Sequence, residues 1–341
     1  MLTFRGRYAV ADVMIDNVEE SVISQIFTFL NHPAFEGMKI RIMPDCHAGA
    51  GAVVGFTATR NNVVIPNVVG VDIGCGVDSY KLNFSGDIAL EALDNFIKKN
   101  IPSGFSVHNN RPNLQGYENI MEGVRQVCRI TGQDTNRVIR SLGTLGGGNH
   151  FLEIGKDENN QYWVTVHSGS RNFGLKVANF HQAIAKANLK AEYKGADAFR
   201  GLEYLEGDDA KNYLLQMETA QEYAVLNRFL MAEAIITGFF GEDIGTLESV
   251  KSVHNYIDFN DGIIRKGAIS AHKGQRVVIP FNMRDGLILG TGKGNDEWNQ
   301  SAPHGAGRVM SRSQAKKHLE LAAYQKSMEG IFIHQFKWEV L

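Results

Sequence analysis

The chain has 341 residues, a formal net charge of −2, 43% hydrophobic and 21% charged residues. This is the balance of a folded globular protein, which excludes a disordered chain, and it offers no global positive field, so any surface for RNA or DNA has to be local. Three cysteines, Cys46, Cys75 and Cys128, are too few and too scattered for a disulfide framework.

Met1 to Arg7 lacks the apolar core of a signal peptide. Short β-like runs then dominate, at Met38–Met43, Gly51–Thr57 and Val63–Val69, apart from one amphipathic helix that Asn17 and Glu20 could cap. Asp72 and Cys75 follow directly in a glycine turn. A helix is predicted over 88–100, burying Leu93, Phe96 and Ile97, and one or two more over 118–140. The segment Gly143–His150 leads into a hairpin with its turn at Asp157–Gln161 and its return strand at Tyr162–His167, which would bring His150 and His167 close together.

From 175 to 240 the pattern is helical. Val177, Phe180, Ile184 and Ala187 recur at helical spacing, as do Val225, Phe229, Ala232, Ile236 and Phe240, and both stripes are expected in the core. His181 sits on the first stripe and reads as a packed helix residue. The most apolar stretch, Phe229–Phe240, is interrupted by Glu233 and too short to span a bilayer, so a cytoplasmic location is expected. After 250 come strands at Val277–Pro280 and Leu287–Leu289, a glycine-rich approach to His304, and a last helix from about 312, with Ser311 and Gln314 fitting a capping box. No linker, repeat or charge block divides the chain. The expectation is α+β: a single large domain over 1–341, with packed β-sheets and peripheral helices, whose strands from both ends converge on one site.

Local basic surfaces are candidates at Arg308, Arg312 and Lys316, spaced along the last helix, and at Arg125, Arg129, Arg137 and Arg140. Either set is also what an ordinary solvated helix face looks like.

The chemistry lies in Asp72-Ile73-Gly74-Cys75-Gly76, in His150, His167 and His254 amid glycine and asparagine, and in His304-Gly305-Ala306-Gly307-Arg308. Carboxylate, thiolate and imidazole in numbers enough for two ions suit a borderline divalent metal such as Mn²⁺, Zn²⁺ or Co²⁺, and Cys75 could bridge both. The spacing matches no compact zinc motif. Gly290–Asn295 lacks the Gly-Lys-Ser/Thr order and following helix of a P-loop, and Gly143–Gly148 has neither the spacing nor the helix of a dinucleotide fingerprint.

Met43–His47, Gly70–Gly76, Gly146–Glu153, His167–Arg171, His254-Asn255, Arg265–Ala268 and His304–Arg308 together resemble the RtcB-type RNA ligases in content and order, over about residues 8–328. The resemblance is to a shorter bacterial branch, with the family's usual C-terminal segment missing or divergent. It implies an enzyme dependent on Mn²⁺ (two ions) and GTP. Such an enzyme joins RNA ending in a 2′,3′-cyclic phosphate or 3′-phosphate to RNA with a 5′-hydroxyl, in tRNA splicing or RNA repair. Carried over, the metal ligands fall on Asp72, Cys75, His150, His167 and His254, and the guanylylated histidine on His304. The GTP contacts fall on Asn149, His150, Phe151, Leu152 and Glu153, on His254 and Asn255, on Pro280, Phe281, Asn282 and Met283, and on His304, Gly305, Ala306 and Gly307. Glu153 is the expected reader of the guanine edge, and Arg308 the first choice for RNA phosphate. The alternatives are a dimetal phosphoesterase that opens cyclic-phosphate ends without ligating, and a non-catalytic RNA-end-binding protein.

Overall fold

The computed structural model describes residues 1–192, 200–307 and 317–334. Within them the elements run β1 (Leu2–Arg5), β2 (Val10–Val13), α1 (Glu20–Leu30), β3 (Lys39–His47), β4 (Val54–Thr59), α2 (Pro66–Val69), β5 (Gly76–Lys81), α3 (Leu90–Asn100), α4 (Glu118–Thr131) and α5 (Thr135–Arg140). There follow β6 (Phe151–Lys156), β7 (Tyr162–Ser168), α6 (Arg171–Glu192), α7 (Gly207–Gly238), β8 (Ser249–Val253), β9 (Asn255–Ile257), β10 (Ile263–Lys266), β11 (Ala268–Ser270), β12 (Arg276–Asn282), β13 (Gly286–Thr291), β14 (Ser301–Pro303) and α8 (Leu321–Ser327). This is an α+β fold with several sheets and peripheral helices.

Two sheets organise it. The larger has the strand order β1-β2-β3-β4-β10-β9, in which β2 and β3 pair in parallel, and the smaller is the all-antiparallel β6-β7-β5-β8. The central strand β5 is buried along nearly its whole length because it is covered on both faces. On one face Tyr80 and Leu82 join Val164 and Val166 in packing against Met231, Ala232, Ile235 and Ile236 of α7. On the other, Val77, Trp163 and Val250 pack against Val278 of the β12–β13 hairpin. Alternation of side chains along a strand thus sends successive residues to a helix and to a hairpin.

Several expectations need correction. Residues Val63–Val69 are not a strand: Pro66 has the fixed φ suited to the first turn of a helix, and α2 begins there. The cap of α1 is Glu19, with no side-chain hydrogen bond, in place of Asn17 or Glu20. Over 118–140, where the sequence predicts one or two helices, there are two: the first ends at Gly132, which takes the left-handed conformation, and the second is started by Asp134, whose carboxylate accepts from the Asn136 and Arg137 amides. In α6 the buried stripe is Phe173, Val177, Ala178, His181, Ala185 and Leu189, while Ala187 is exposed. In α7 Val225 lies outside the core, 40% exposed, because the helix is buried over most of its circumference and Val225 falls on the remaining strip. Of the basic sets, Arg125 and Arg129 pair with Glu122 on α4 as a solvated face. Arg308, Arg312, Lys316 and the proposed capping box of Ser311 and Gln314 lie outside the described residues. No helix among the described residues is long and apolar enough to cross a membrane.

Candidate metal and nucleotide site

Four of the six singled-out side chains come from the same edge of the smaller sheet. His150 precedes β6, His167 is near the end of β7, Cys75 precedes β5, and His254 follows β8, with Gly76 paired to both Ser168 and Val253. Antiparallel pairing of neighbouring strands therefore gathers residues separated by up to 179 positions in the sequence. Asp72 joins them from the turn that ends at Gly74, a glycine at φ +70° whose amide donates to Asn255 O at 2.7 Å.

Cys75 Sγ lies 3.5 Å from His150 Nε2 and 3.4 Å from His167 Nε2, His150 Nε2 is 2.9 Å from Asp72 Oδ2, and His167 Nε2 is 3.3 Å from His254 Nε2. Two triads result, Asp72–Cys75–His150 and Cys75–His167–His254, each with its ligand atoms within 4.8 Å of one another, and Cys75 belongs to both. The tautomers are fixed from behind. His150 Nδ1 donates to Leu145 O at 2.9 Å and His167 Nδ1 to Asn149 O at 3.0 Å, since a carbonyl can only accept. Each Nε2 is thus left with its lone pair aimed at the sulfur and its neighbours, the arrangement that metal-ligating histidines require.

Electrostatics agree with a site built for cations. Burial acts to raise the Asp72 carboxyl, but the hydrogen bond and charge of His150, with Arg171 further off, outweigh it and hold Asp72 ionised. Burial, then the charge of Asp72, pushes the Cys75 thiol well up. Burial, then the neighbouring His150 and His304, takes His167 down to about 3. Burial, then His304 and His167, puts His254 well below the ordinary range. The neutral imidazoles of His167 and His254 and the anionic Asp72 carboxylate crowd around a thiol. A divalent cation is the partner that donor set fits.

His304 follows β14, which pairs with β11, and its ring centroid lies 4.9 Å from that of His254. A residue to which the sequence reading gave no role holds it there. Asp45, 5% exposed on the bulged part of β3, accepts from His304 Nδ1 at 2.7 Å and from the amides of His304 and Gly305 at 3.2 Å. The His304 Nε2 lone pair is left free to act as a nucleophile. Gly267, at φ +61°, gives the ring its clearance, since a Cβ there would stand 3.3 Å from His304 Cε1 and overlap Val54.

The remaining residues named for GTP border this centre. Phe151 packs edge-on against the His167 ring at 5.1 Å, and Leu152 and Glu153 continue along β6. Burial raises the Glu153 carboxyl. The β12–β13 hairpin closes over it: a Cβ on Gly286 would sit 3.5 Å from Glu153 Oε1, and one on Gly305 3.4 Å from Pro280 O. Phe281 and Met283 at the hairpin tip are 42% and 40% exposed, with Asn282 accepting from the Arg284 and Asp285 amides. Asn255 is engaged, donating to Asp72 O at 3.2 Å and accepting from the Gly267 amide at 3.0 Å. Ala306 lies beyond Gly305, and Gly307, at φ +77°, passes close to the Asp45 backbone.

Sequence reasoning also missed the pair behind the site. Arg228 on α7 and Asp78 on β5 are 1% and 0% exposed and meet at 2.8 Å, while Arg228 Nη1 donates to Gly74 O and Ser168 O at 2.7 and 3.0 Å. The signal was an Asn227-Arg228 dipeptide inside an apolar helical run. A third acid-rich group, Asp258, Asp261 and His272, already has its cation in Arg265, which is 2.6 Å from Asp261.

His304 lies beside two triads that share a thiol, and comparison with known proteins places the chain among the RNA ligases. It belongs to the RtcB family, described as tRNA-splicing ligase RtcB, whose model matches residues 25–336. It is similar to the RNA-splicing ligase RtcB of Escherichia coli K12, at 32% identity over 82% of this chain and 76% of that one. It is also similar to the tRNA-splicing ligase RtcB of Nanoarchaeum equitans, at 30% over 81% and 74%, and to that of Archaeoglobus fulgidus, at 28% over 93% and 82%.

Proposed function

We propose that this chain is a single catalytic unit over residues 1–341 that works in the cytoplasm. It joins RNA ending in a 2′,3′-cyclic phosphate or 3′-phosphate to RNA with a 5′-hydroxyl, using GTP and two Mn²⁺ ions, in tRNA splicing or RNA repair. The observation that carries the reading is the pair of triads sharing Cys75 with the Asp45-held His304 alongside.

Asp72, Cys75 and His150 would hold one ion, and Cys75, His167 and His254 the other. When bound, the ions supply Lewis-acid neutralisation of phosphate charge. The chain's own residues do the rest. His304 Nε2 attacks the α-phosphorus of GTP, forming a P–N bond as the bond to pyrophosphate breaks, and Asp45 stabilises the imidazolium that results. A 3′-phosphate oxygen of the RNA, the cyclic form having been opened by water, then attacks that phosphorus and releases His304. The 5′-hydroxyl of the second RNA attacks the activated phosphate and expels GMP. Glu153, Phe151 and the Pro280–Met283 hairpin would enclose the guanosine, and Arg308 would meet RNA phosphate.

The test is ligation of a 3′-phosphate RNA to a 5′-hydroxyl RNA by the purified protein with Mn²⁺ and GTP. Joining that needs GTP and disappears in His304→Ala is expected. Hydrolysis of the cyclic end that ignores GTP and survives His304→Ala would instead make the protein a phosphoesterase.

A further inference from the structure

The loop over residues 102–106 carries the most exposed large apolar side chain among the described residues, Phe105, at 97%. Its backbone is nonetheless firmly held. Leu145 N donates to Pro102 O at 2.9 Å, Gly104 N donates to Gly146 O at 2.8 Å, and Ser103 bridges Gly146. Two arginines fasten the tip: Arg137 Nη2 donates to Phe105 O at 3.1 Å and Arg171 Nη2 to Gly104 O at 3.2 Å. The fold gains nothing from a phenyl ring left in water, where burial is worth about 1.5–3 kcal/mol. A ring presented on a pinned stem is suited to receive something flat.

Its position says what. The stem rests on the Gly143–His150 segment, whose Leu145 O fixes His150 Nδ1, so the loop lies one hydrogen-bonded layer from the Asp72–Cys75–His150 triad. Arg171 carries the same link, since its charge acts on Asp72. Gly147, Gly148 and Asn149 between loop and triad are exposed, leaving the way open. Arg137 is exposed beside the ring, and exposed Arg111 hydrogen-bonds Asn136 on the same turn of α5. Asp134 uses its carboxylate to cap that helix. Aromatic rings flanked by arginine, on a path to a phosphate-processing centre, are how proteins hold single strands: the ring stacks on any base and the cations follow the backbone.

We propose that Phe105 is a stacking platform for a base of the single-stranded RNA end on its way to the site, with Arg111 and Arg137 meeting the adjoining phosphates. The proposal rests on the RNA-ligase reading above and assigns that reading a strand path.

The probe is a short single-stranded RNA with a 3′-phosphate and 2-aminopurine near that end, titrated into the full-length protein with Mn²⁺. Wild type should bind and quench the fluorophore. Phe105→Ala should bind roughly 5- to 150-fold more weakly with the quenching lost, as removal of one aromatic–base stack of ~1–3 kcal/mol requires. Phe105→Trp should restore both, and the melting temperature should stay that of wild type in each variant because the ring is outside the core. Wild-type binding with Phe105→Ala equal to it in affinity and quenching overturns the strand path while leaving the ligase reading intact. Failure of wild type to bind the RNA overturns the ligase reading itself. A self-association lost in Phe105→Ala with RNA affinity unchanged assigns the ring to a protein contact and also overturns the proposal.

Discussion

The buried Arg228–Asp78 pair holds the ligand-bearing edge together. Replacing Arg228 with Met keeps the bulk of the side chain but leaves Asp78, 0% exposed, without its counter-charge, and takes away the donor shared by Gly74 O and Ser168 O. Removing one partner of a buried pair costs about 3–5 kcal/mol, because the remaining charge is left desolvated. With about 2.1 cal/mol/K of unfolding entropy per residue over 341 residues, the whole is about 0.7 kcal/mol/K, so the melting temperature should fall by roughly 4–7 °C. Thermal unfolding followed by circular dichroism measures this. Adding Asp78→Leu to Arg228→Met should recover part of the loss, since no bare carboxylate then remains. Gly74 precedes Cys75 and Ser168 follows His167, so the single variant should also bind Co²⁺ more weakly, seen as a fainter thiolate-to-cobalt charge-transfer band. A single variant melting within a degree or two of wild type, or a double variant no better than the single, would refute the reasoning.

Other expectations follow from the same geometry. Asp45→Asn removes the charge from the hydrogen bond to His304 Nδ1, worth ~1.5–3 kcal/mol, so GMP transfer to the protein should slow roughly 10- to 150-fold with metal content unchanged; an unaltered rate would free Asp45 of that role. Metal binding should release at least one proton, that of the Cys75 thiol. His167, down at about 3, and His254, well below its ordinary range, are already neutral, and Asp72, held low, is already ionised, whereas the raised Cys75 thiol must lose its proton. Co²⁺ affinity should therefore rise at least about tenfold per pH unit between about pH 6 and 8, and a flat profile would contradict a thiolate ligand. Gly169→Ala places a methyl against the Asp72 carboxylate, and atomic absorption should show a loss of bound metal in that variant while Thr165→Ser, on the preceding strand β7, keeps it.

What could be read from the sequence was chemistry set in unusual surroundings. Asp72, Cys75, His150, His167, His254 and His304 stood out because glycine and asparagine beside them leave a ligand atom approachable, and because soft and hard donors recur in numbers a core does not need. The β6–β7 hairpin was legible from its alternation and polar turn, which also placed His150 beside His167. Residues that work through others were not legible. Asp45 is one acid in a strand until the bulge of β3 turns it under His304, and Arg228 looks like an interruption of α7 until Asp78 is found opposite. Local pattern failed where tertiary cover decides. Val63–Val69 has a strand's composition but Pro66 starts a turn of helix, and Val225 fits a core stripe on a helix whose one open strip lies there. Phe105 is conspicuous only by exposure, which no sequence displays.

The central claim is that Cys75 bridges two ions beside a histidine that takes up GMP. Native mass spectrometry of the purified protein with Mn²⁺ and GTP tests it most directly. The expected spectrum carries two manganese ions and one GMP, with the GMP mapped to His304 after digestion and both increments lost in Cys75→Ala. A wild-type protein that binds no metal pair, or carries GMP on a residue remote from the two triads, would contradict the account.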